Sequence, residues 1–382
     1  MTRVALKMLM GDRLKYAGLI AGILFAVTLI AQQASIMTGF IQRMGSFVRD
    51  TGSVDLWVMD PQRRFSDDQK PLSETALPRV RGVEGVSWAV PMYRSWLRCR
   101  LPDGTLVQAI VTGLDDATLL GGPPEIVEGS LEDLRRSGGV LVDADELGGK
   151  MRMVRGGEGP LRVGDRLAFN DEDAVIVGTF RASKGFFWEP VVYTTYSRAV
   201  RFAPPERKVN GFVLVGVREG EDAAAVGRRI EAATGLRALT RDQFEAHSTN
   251  FLLTSTGILA NFGLAIGLGF VIGVLVCGQT LYQFTLDNLR HFAALKAMGA
   301  GNWLLVRMVG AQVVTVGAIG YGIGLGAAVL LGRVIVKAGL AFYMPWQVPV
   351  LSGVAIGAIG LLAGSLSLAR VIRAEPGMVF KG

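Results

Sequence analysis

Residues 246–286 read AHSTNFLLTSTGILANFGLAIGLGFVIGVLVCGQTLYQFTL, a stretch of 41 residues without Asp, Glu, Lys or Arg. A helix needs about 20 apolar residues to cross the roughly 30 Å hydrocarbon core of a bilayer. If this stretch is helical throughout, it covers about 60 Å at about 1.5 Å per residue. We therefore expect a transmembrane helix that continues outside the membrane as a stalk.

Three more stretches are uncharged and long enough to span a bilayer, namely 16–42, 308–332 and 338–369, of which the last supplies the predicted span 350–370. The first also resembles a signal peptide, because basic residues precede its apolar part. The three later spans favour an uncleaved helix. Residues 43–245 are interrupted by charge every few residues. The sequence thus predicts a polytopic α-helical membrane protein with four transmembrane helices and a large insertion between the first and the second.

Half of the 382 residues are apolar, which is incompatible with intrinsic disorder. The insertion 43–245 holds 28 basic and 30 acidic residues, whereas the rest of the chain holds 12 basic and 3 acidic residues. A nucleic-acid-binding protein would concentrate positive charge on its folded domain. Here the positive charge lies beside the apolar spans, which indicates contact with membrane lipids and excludes nucleic acid as a partner.

Basic residues on short flanking segments orient a membrane protein, because they stay on the cytoplasmic side. They are concentrated in residues 1–15, in 287–307 and in the tail that includes 371–382. These segments, and with them both termini, should be cytoplasmic, which leaves 43–245 and the short loop 333–349 outside. Residues 1–15 also mix apolar and basic side chains, as expected of an amphipathic helix at the membrane surface.

The insertion carries the signals of an extracytoplasmic α+β domain, for which we expect two subdomains. Two β-rich runs, 86–101 and 105–114, flank Pro102-Asp103-Gly104, which predicts a β-hairpin. Further along the chain, a strand pattern, a helical pattern and another strand pattern follow one another between residues 210 and 239.

No catalytic constellation of Ser, His and Asp can be singled out in the sequence. It contains no G-x-x-x-x-G-K-[ST] phosphate loop, so the chain should not hydrolyse ATP by itself. In the predicted topology His247 and His291 lie on opposite sides of the membrane, and Cys99 and Cys277 cannot meet. We expect no catalytic residue, metal site or cofactor in this chain. The spans also lack ionisable residues in their central parts, which argues against a secondary transporter.

Glycines in the spans recur at spacings that let helix backbones approach closely. Such pairs serve packing within one helix bundle or build a dimer interface, and both interpretations remain open. The candidate residues are Gly263 with Gly267, Gly269 with Gly273, and Gly320 with Gly324.

The cytoplasmic segment after the second span reads LYQFTLDNLRHFAALKAMGAGNWLLVRMVGAQ, residues 281–312. Its AALKAMGA run, 293–300, resembles the signature of MacB/FtsX-type (type VII) ABC transporter permeases, and the end ARVIRAEPGMVF resembles their C-terminal pattern. Tyr282, Asp287 and VDLWVMDP (54–61) are most similar to the DevC-like subgroup of these permeases. The resemblance covers the whole chain.

The resemblance implies that a short cytoplasmic coupling helix in 287–307 binds an ATPase subunit. The spacing of Leu289, Phe292, Ala293 and Lys296 gives such a helix an apolar face that fits a groove, and Gly299 should end it as a left-handed cap. An ordinary loop between helices is the alternative. The residues expected to couple to the ATPase are Arg290, Phe292, Ala294, Leu295, Lys296, Met298 and Gly299.

The resemblance implies a homodimeric permease in the bacterial inner membrane, driven by a separate cytoplasmic ATPase that binds ATP and Mg²⁺. Movement of the coupling helix would be transmitted to the periplasmic domain, a process called mechanotransmission. A DevC-like member implies export of a lipid-like or hydrophobic substrate with a periplasmic adaptor and an outer-membrane duct. The alternative is an FtsX-like regulatory subunit that activates an external cell-wall hydrolase and transports nothing. A membrane scaffold or sensor unrelated to ABC transporters is a third possibility.

Overall fold

The computed structural model describes residues 2–154, 159–205 and 211–373. The chain divides into two compact units, Met1–Phe40 together with Gly257–Gly382, and Ile41–Thr256. They are called the membrane unit and the external domain below. The greater part of the predicted tail 371–382 lies outside the described residues.

Helices dominate the membrane unit, and shorter helices accompany the strands of the external domain. The helices are α1 (Thr2–Gly11), α2 (Arg13–Met44), α3 (Ser46–Asp50), α4 (Ala76–Arg81), α5 (Tyr196–Phe202), α6 (Ala223–Thr234), α7 (Arg241–Ser255), α8 (Ile258–Asp287), α9 (Leu289–Ala297), α10 (Asn302–Lys337) and α11 (Gln347–Arg373). A 3₁₀ helix covers Leu131–Arg135. The strands are β1 (Leu56–Met59), β2 (Val86–Arg100), β3 (Leu106–Leu114), β4 (Glu125–Glu128), β5 (Gly139–Asp143), β6 (Arg166–Phe169), β7 (Glu172–Arg181), β8 (Val191–Thr195), β9 (Phe212–Val217) and β10 (Arg237–Thr240).

Four helices of the described chain are long and apolar enough to cross a membrane, namely α2, α8, α10 and the Gln347–Ser365 part of α11. The four predicted transmembrane helices are thereby confirmed. Helix α10 is longer than the predicted span 308–332 and includes Arg307 and Arg333. Charge interrupts a hydropathy pattern without ending a helix, because long basic side chains can extend to the membrane surface.

The stretch 246–286 is not helical throughout, and its division into a stalk and a span stays a prediction. Helix α7 ends at Ser255, and α8 begins at Ile258. Gly257 between them has φ +69°, in the left-handed region, where a right-handed helix cannot continue. The hydroxyl of Thr256 also bonds back to the carbonyl of Leu252, which caps the end of α7. Hydropathy carries no information about such a backbone turn, because Gly257 is as uncharged as its neighbours.

The external domain contains a mixed sheet of ten strands in the described part of the chain. Their order is β10-β1-β9-β2-β3-β8-β5-β7-β4, with β6 paired to β2 and β7. The long strand β2 pairs with β9 through Val86–Met92 and with β3 through Tyr93–Arg100. Strand β2 thus belongs to both halves of the sheet and connects them, and the division of the domain into two subdomains stays a prediction.

The predicted hairpin at Pro102-Asp103-Gly104 is confirmed. Strands β2 and β3 pair antiparallel up to Arg100 opposite Leu106. The Asp103 carboxylate accepts the backbone N–H of Thr105 at 2.9 Å, a local bond that stabilises a turn.

Asp143, at the end of β5, is buried and gives the external domain a pH-dependent stability. Burial raises the pKa of its carboxyl to about 6 from the ordinary 3.8. The folded state therefore holds the proton more tightly than the unfolded state, so the contribution of Asp143 to stability is most favourable below about pH 4 and declines as the pH rises towards 6. Asp143→Asn removes this cost and keeps an acceptor for the Asp145 N–H, which lies 3.0 Å from the carboxylate.

We expect Asp143→Asn to stabilise the domain by about 1–3 kcal/mol at pH 7.5, since one pKa unit corresponds to about 1.4 kcal/mol. The gain should vanish near pH 4. Unfolding of the full-length protein in detergent, followed between pH 4 and 8, measures the effect. The exposed Asp145→Asn is the matched control, and equal pH profiles for wild type and Asp143→Asn would contradict the expectation.

Candidate coupling region and membrane-helix surfaces

Helix α9 is the predicted coupling helix, and its two ends are fixed by local hydrogen bonds. At its start, the Asn288 side chain donates to the carbonyl of Phe284 at 2.9 Å. At its end, the N–H groups of Gly299 and Ala300 donate to the carbonyls of Lys296 and Leu295 at 2.9 and 3.0 Å. Gly299 has φ +92°. This is a Schellman cap, so the predicted left-handed end of the helix is confirmed.

The apolar face of α9 is covered by the membrane unit itself. Phe292 is fully buried, together with Ala293, against Ala5 of α1 and Leu305 and Met308 of α10. Phe292 is therefore enclosed within the membrane unit, and its predicted role in coupling to the ATPase stays a prediction. The i, i+3, i+4 spacing correctly predicts an apolar face, but the spacing does not tell which partner covers it.

The accessible residues of α9 and its cap lie on the side of the helix opposite Phe292. Arg290 and Gly299 are exposed, and Met298 is 76% exposed. Ala294, Leu295 and Lys296 are half-buried. The Lys296 ammonium donates to the carbonyl of Ile372 on α11 at 2.6 Å. Of the predicted coupling residues, Arg290, Met298 and Gly299 thus offer the most accessible surface.

Two exposed residues beside this surface were not among the predicted ones. His291 follows Arg290 on α9, and Trp303, in the first turn of α10, is 78% exposed. Trp303 lies four residues after Gly299, which ends α9, and just before the predicted span 308–332. An aromatic residue at this position is a sequence signal for a contact surface. Trp is enriched both at membrane interfaces and at binding hot spots.

A cluster of ion pairs lies next to the start of α9. The Lys15 ammonium, in the first turn of α2, pairs with Asp287 at the end of α8 and with Asp12 at 3.0 Å. The hydrogen bond from Lys15 lowers the pKa of Asp12. Only three acidic residues lie outside 43–245, and two of them meet at Lys15. That scarcity is the sequence signal that could have identified the cluster.

Helix α1 is attached to α10 rather than lying free on a membrane surface. Gln312 of α10 donates from Nε2 to the carbonyl of Ala5 at 2.8 Å. Ala5 and Leu9 are buried, whereas Lys7 and Met10 are exposed. The buried side of the helix helps to enclose Phe292, and its position at a membrane surface stays a prediction.

The candidate glycines fall into two groups. Gly269, Gly273, Gly320 and Gly324 all pack against α2. A Cβ at Gly273 would lie 2.9 Å from the Ala26 Cβ, and a Cβ at Gly324 would lie 2.8 Å from the carbonyl oxygen of Leu24. These four glycines serve packing within the bundle.

Gly263 and Gly267 form the second group. No described atom would lie within 4 Å of a Cβ at either position. They lie on an exposed side of α8, next to Leu264 and Leu268, which are also exposed. This side of α8 is open to lipid or to another subunit.

The described residues contain no group of three or more His, Cys, Asp or Glu side chains that could hold a metal ion. His247 has a structural setting in the external domain. Its Nε2 lies 3.0 Å from the carbonyl of Arg63 and 3.2 Å from the Arg237 guanidinium.

Two family models match the chain. Residues 17–233 match the MacB-like periplasmic core domain. Residues 251–376 match the FtsX-like permease C-terminal domain. Together they cover both units of the structure. No curated protein sequence matches the chain significantly.

Two solved structures are similar to parts of the chain at 13% sequence identity each. One is the extracellular domain of the noncanonic ABC-type transporter YknZ from Gram-positive bacteria, with a TM-score of 0.34 over 49% of this chain and 99% of that one. The other is the periplasmic region of MacB from Actinobacillus actinomycetemcomitans, with a TM-score of 0.36 over 55% of this chain and 97% of that one. At such low TM-scores the family assignment rests on the two family models.

Proposed function

Because the chain belongs to the MacB/FtsX-like family of ABC transporter permeases, we propose that it transmits ATP-driven movement of a separate ATPase subunit to its external domain. The observation that carries this proposal is the arrangement of α9. One side of the helix is locked into the membrane unit by Phe292, and the other presents Arg290 and Met298. A displacement of the exposed side must therefore move the helices that enclose Phe292.

The packing supports transmission to several helices at once. Phe292 contacts residues of α1 and α10, and the Lys15 ion pairs join the start of α2 to the end of α8. Lys296 reaches α11. Close-packed interiors transmit strain because side chains have little free volume. A push on α9 thus reaches α8, α10 and α11 through direct contacts, and α2 through the ion pair between Lys15 and Asp287.

The ATP and Mg²⁺ belong to the partner ATPase in this proposal, because the sequence has no phosphate-binding loop of its own. The chain contributes no catalytic residue and binds no cofactor. We place the termini and α9 in the cytoplasm and the external domain in the periplasm, since basic residues on short flanks stay inside.

The permease acts as a homodimer in this proposal. Membrane helices associate through close backbone approach at small residues, because lipid provides no hydrophobic drive between them. Gly263 and Gly267 offer such a surface on the exposed side of α8, whereas Gly269, Gly273, Gly320 and Gly324 are already used within the bundle.

We further propose that the complex exports a lipid-like or other hydrophobic substrate, together with a periplasmic adaptor and an outer-membrane duct, as in DevC-like permeases. The central parts of the spans contain no ionisable residues. This favours a helix bundle that transmits movement, because a path for a charged substrate through the membrane would need such residues.

The test is affinity purification of the full-length protein from its native membrane in mild detergent, followed by native mass measurement. We expect two permeases with two ATPase subunits, and a periplasmic adaptor bound to the complex. A cell-wall hydrolase or its activator in place of the adaptor would contradict export and support regulation. One permease per ATPase dimer would contradict the homodimer, and no ATPase at all would contradict the whole proposal.

A further inference from the structure

Helices α10 and α11 enclose an apolar groove of about 670 Å³ in the membrane unit. Much of its wall is formed by glycines, which expose backbone and leave room beside it: Gly310, Gly317, Gly353, Gly357, Gly360 and Gly364. The polar side chains in the wall are Tyr321 and Ser365. Tyr321 donates to the carbonyl of Pro349 at 2.9 Å and Ser365 to that of Leu362 at 2.8 Å. Their hydroxyl groups are therefore already bonded, and the groove offers an apolar surface.

The groove has the length of a lipid chain. It runs along α10 from Val306 to Tyr321, which corresponds to about 22 Å at a rise of about 1.5 Å per residue. The hydrocarbon core is about 30 Å thick, so one leaflet measures about 15 Å. The groove thus accommodates the full depth of one leaflet.

The groove is an apolar gap between two neighbouring helices. An extended hydrocarbon chain needs no more width than the gap between two neighbouring helices.

A positive charge stands at one end of the groove. Trp303, Arg307, Gly310, Val314, Gly317 and Tyr321 follow one another at i+3 and i+4 spacing, so they share one face of α10. Arg307 is exposed and forms no ion pair with any residue in the described ranges. Trp303, one turn further out, is 78% exposed. Tryptophan settles at the headgroup level of a bilayer, and basic residues there attract anionic lipids.

We propose that this groove binds an acyl chain of one anionic phospholipid, whose phosphate is held by Arg307. The apolar wall takes the chain, the guanidinium takes the phosphate, and Trp303 marks the depth of the headgroup. This site lies on α10 and α11 and uses none of the exposed residues of α9, although Trp303 also lies beside that surface.

The experiment exchanges the lipid around the purified full-length protein for equal amounts of phosphatidylglycerol and phosphatidylcholine, and counts retained lipids by native mass spectrometry. Wild type should retain one phosphatidylglycerol in preference to phosphatidylcholine. Gly310→Leu and Gly357→Leu each place a side chain in the groove at a position where no described atom lies within 4 Å. We expect either variant to reduce the retention of phosphatidylglycerol about tenfold or more, because each methylene of the acyl chain that is displaced from the groove loses its contribution to binding.

Two matched controls separate the groove and the charge from general effects. Gly322→Leu makes the same change on α10 outside the groove, where the described chain also leaves open space, and should retain lipid as wild type does. Arg307→Gln should lower the preference for phosphatidylglycerol about fivefold. Arg333→Gln, which removes an exposed charge at the other end of α10, should leave it unchanged.

The proposal is overturned if wild type shows no preference between the two lipids, a result that needs no variant to fold. It is also overturned if both groove variants retain as much lipid as Gly322→Leu. Efficient disulfide formation between two copies of Gly357→Cys would show that another subunit covers the groove, and would equally exclude the lipid.

Discussion

Met298→Asp should abolish retention of the ATPase subunit while the permease still folds and reaches the membrane. Met298 is 76% exposed and lies just beyond the end of α9, so the change removes no packing within the chain. A carboxylate buried without a partner at an apolar contact costs about 2–5 kcal/mol, which lowers affinity at least thirtyfold. The ATPase should therefore be lost on purification, and permease-stimulated ATP turnover with it.

The matched variant Met298→Leu keeps an apolar side chain of similar size and should retain the ATPase. Leu295→Asp is a less selective probe, because Leu295 is half-buried and packs against the cluster around Phe292. Co-purification and ATP turnover of Met298→Asp and Met298→Leu in nanodiscs decide the matter. If Met298→Asp keeps wild-type levels of both, residues 287–300 are not the coupling element.

Gly324→Leu should prevent assembly of the membrane unit. A Cβ at this position would lie 2.8 Å from the carbonyl oxygen of Leu24 and 2.8 Å from the Val27 Cβ, both on the central helix α2. A backbone oxygen cannot move aside as the end of a flexible side chain can. Separating the two helices also strains the hydrogen bond from the Thr28 hydroxyl to the Gly324 carbonyl, which measures 3.0 Å. We expect a loss of about 3 kcal/mol or more.

Gly322→Leu, two residues away, is the control for this second experiment. A Cβ there meets no described atom within 4 Å, so this variant should resemble wild type. Yield of monodisperse protein and the temperature of unfolding in detergent provide the comparison. Equal stability of Gly324→Leu and Gly322→Leu would mean that α2 and α10 do not pack at this glycine.

The four membrane helices could be predicted because lipid exposure demands long uncharged segments, and such segments are visible in any single sequence. The hairpin at Pro102-Asp103-Gly104 and the left-handed Gly299 were equally predictable, since each depends on a few neighbouring residues. The break at Gly257 was missed because one residue with positive φ leaves hydropathy unchanged.

The coupling region was predicted only in part, because its contacts are distant in the chain. The spacing of apolar residues predicts that Phe292 is buried against a partner. In the structure that partner includes Ala5 and Met308 of the same chain. The sequence around Phe292 does not distinguish these residues from a groove of another protein. Lys15 and Asp287 are 272 residues apart. Pairing over such a separation is a property of the assembled bundle.

The central position of α2 has a consequence for the time course of synthesis. Its residues Leu19, Ile23, Ala26 and Val27 lie in the core of the membrane unit, yet their partners on α8, α10 and α11 follow only after the external domain. At about 5–20 residues per second, the ribosome needs about 10–40 s to bridge this gap. During that wait the interior face of α2 is solvated by acyl chains, which are as apolar as its later neighbours. The first helix can thus remain single in the bilayer for that time without exposing an aggregation-prone surface to water.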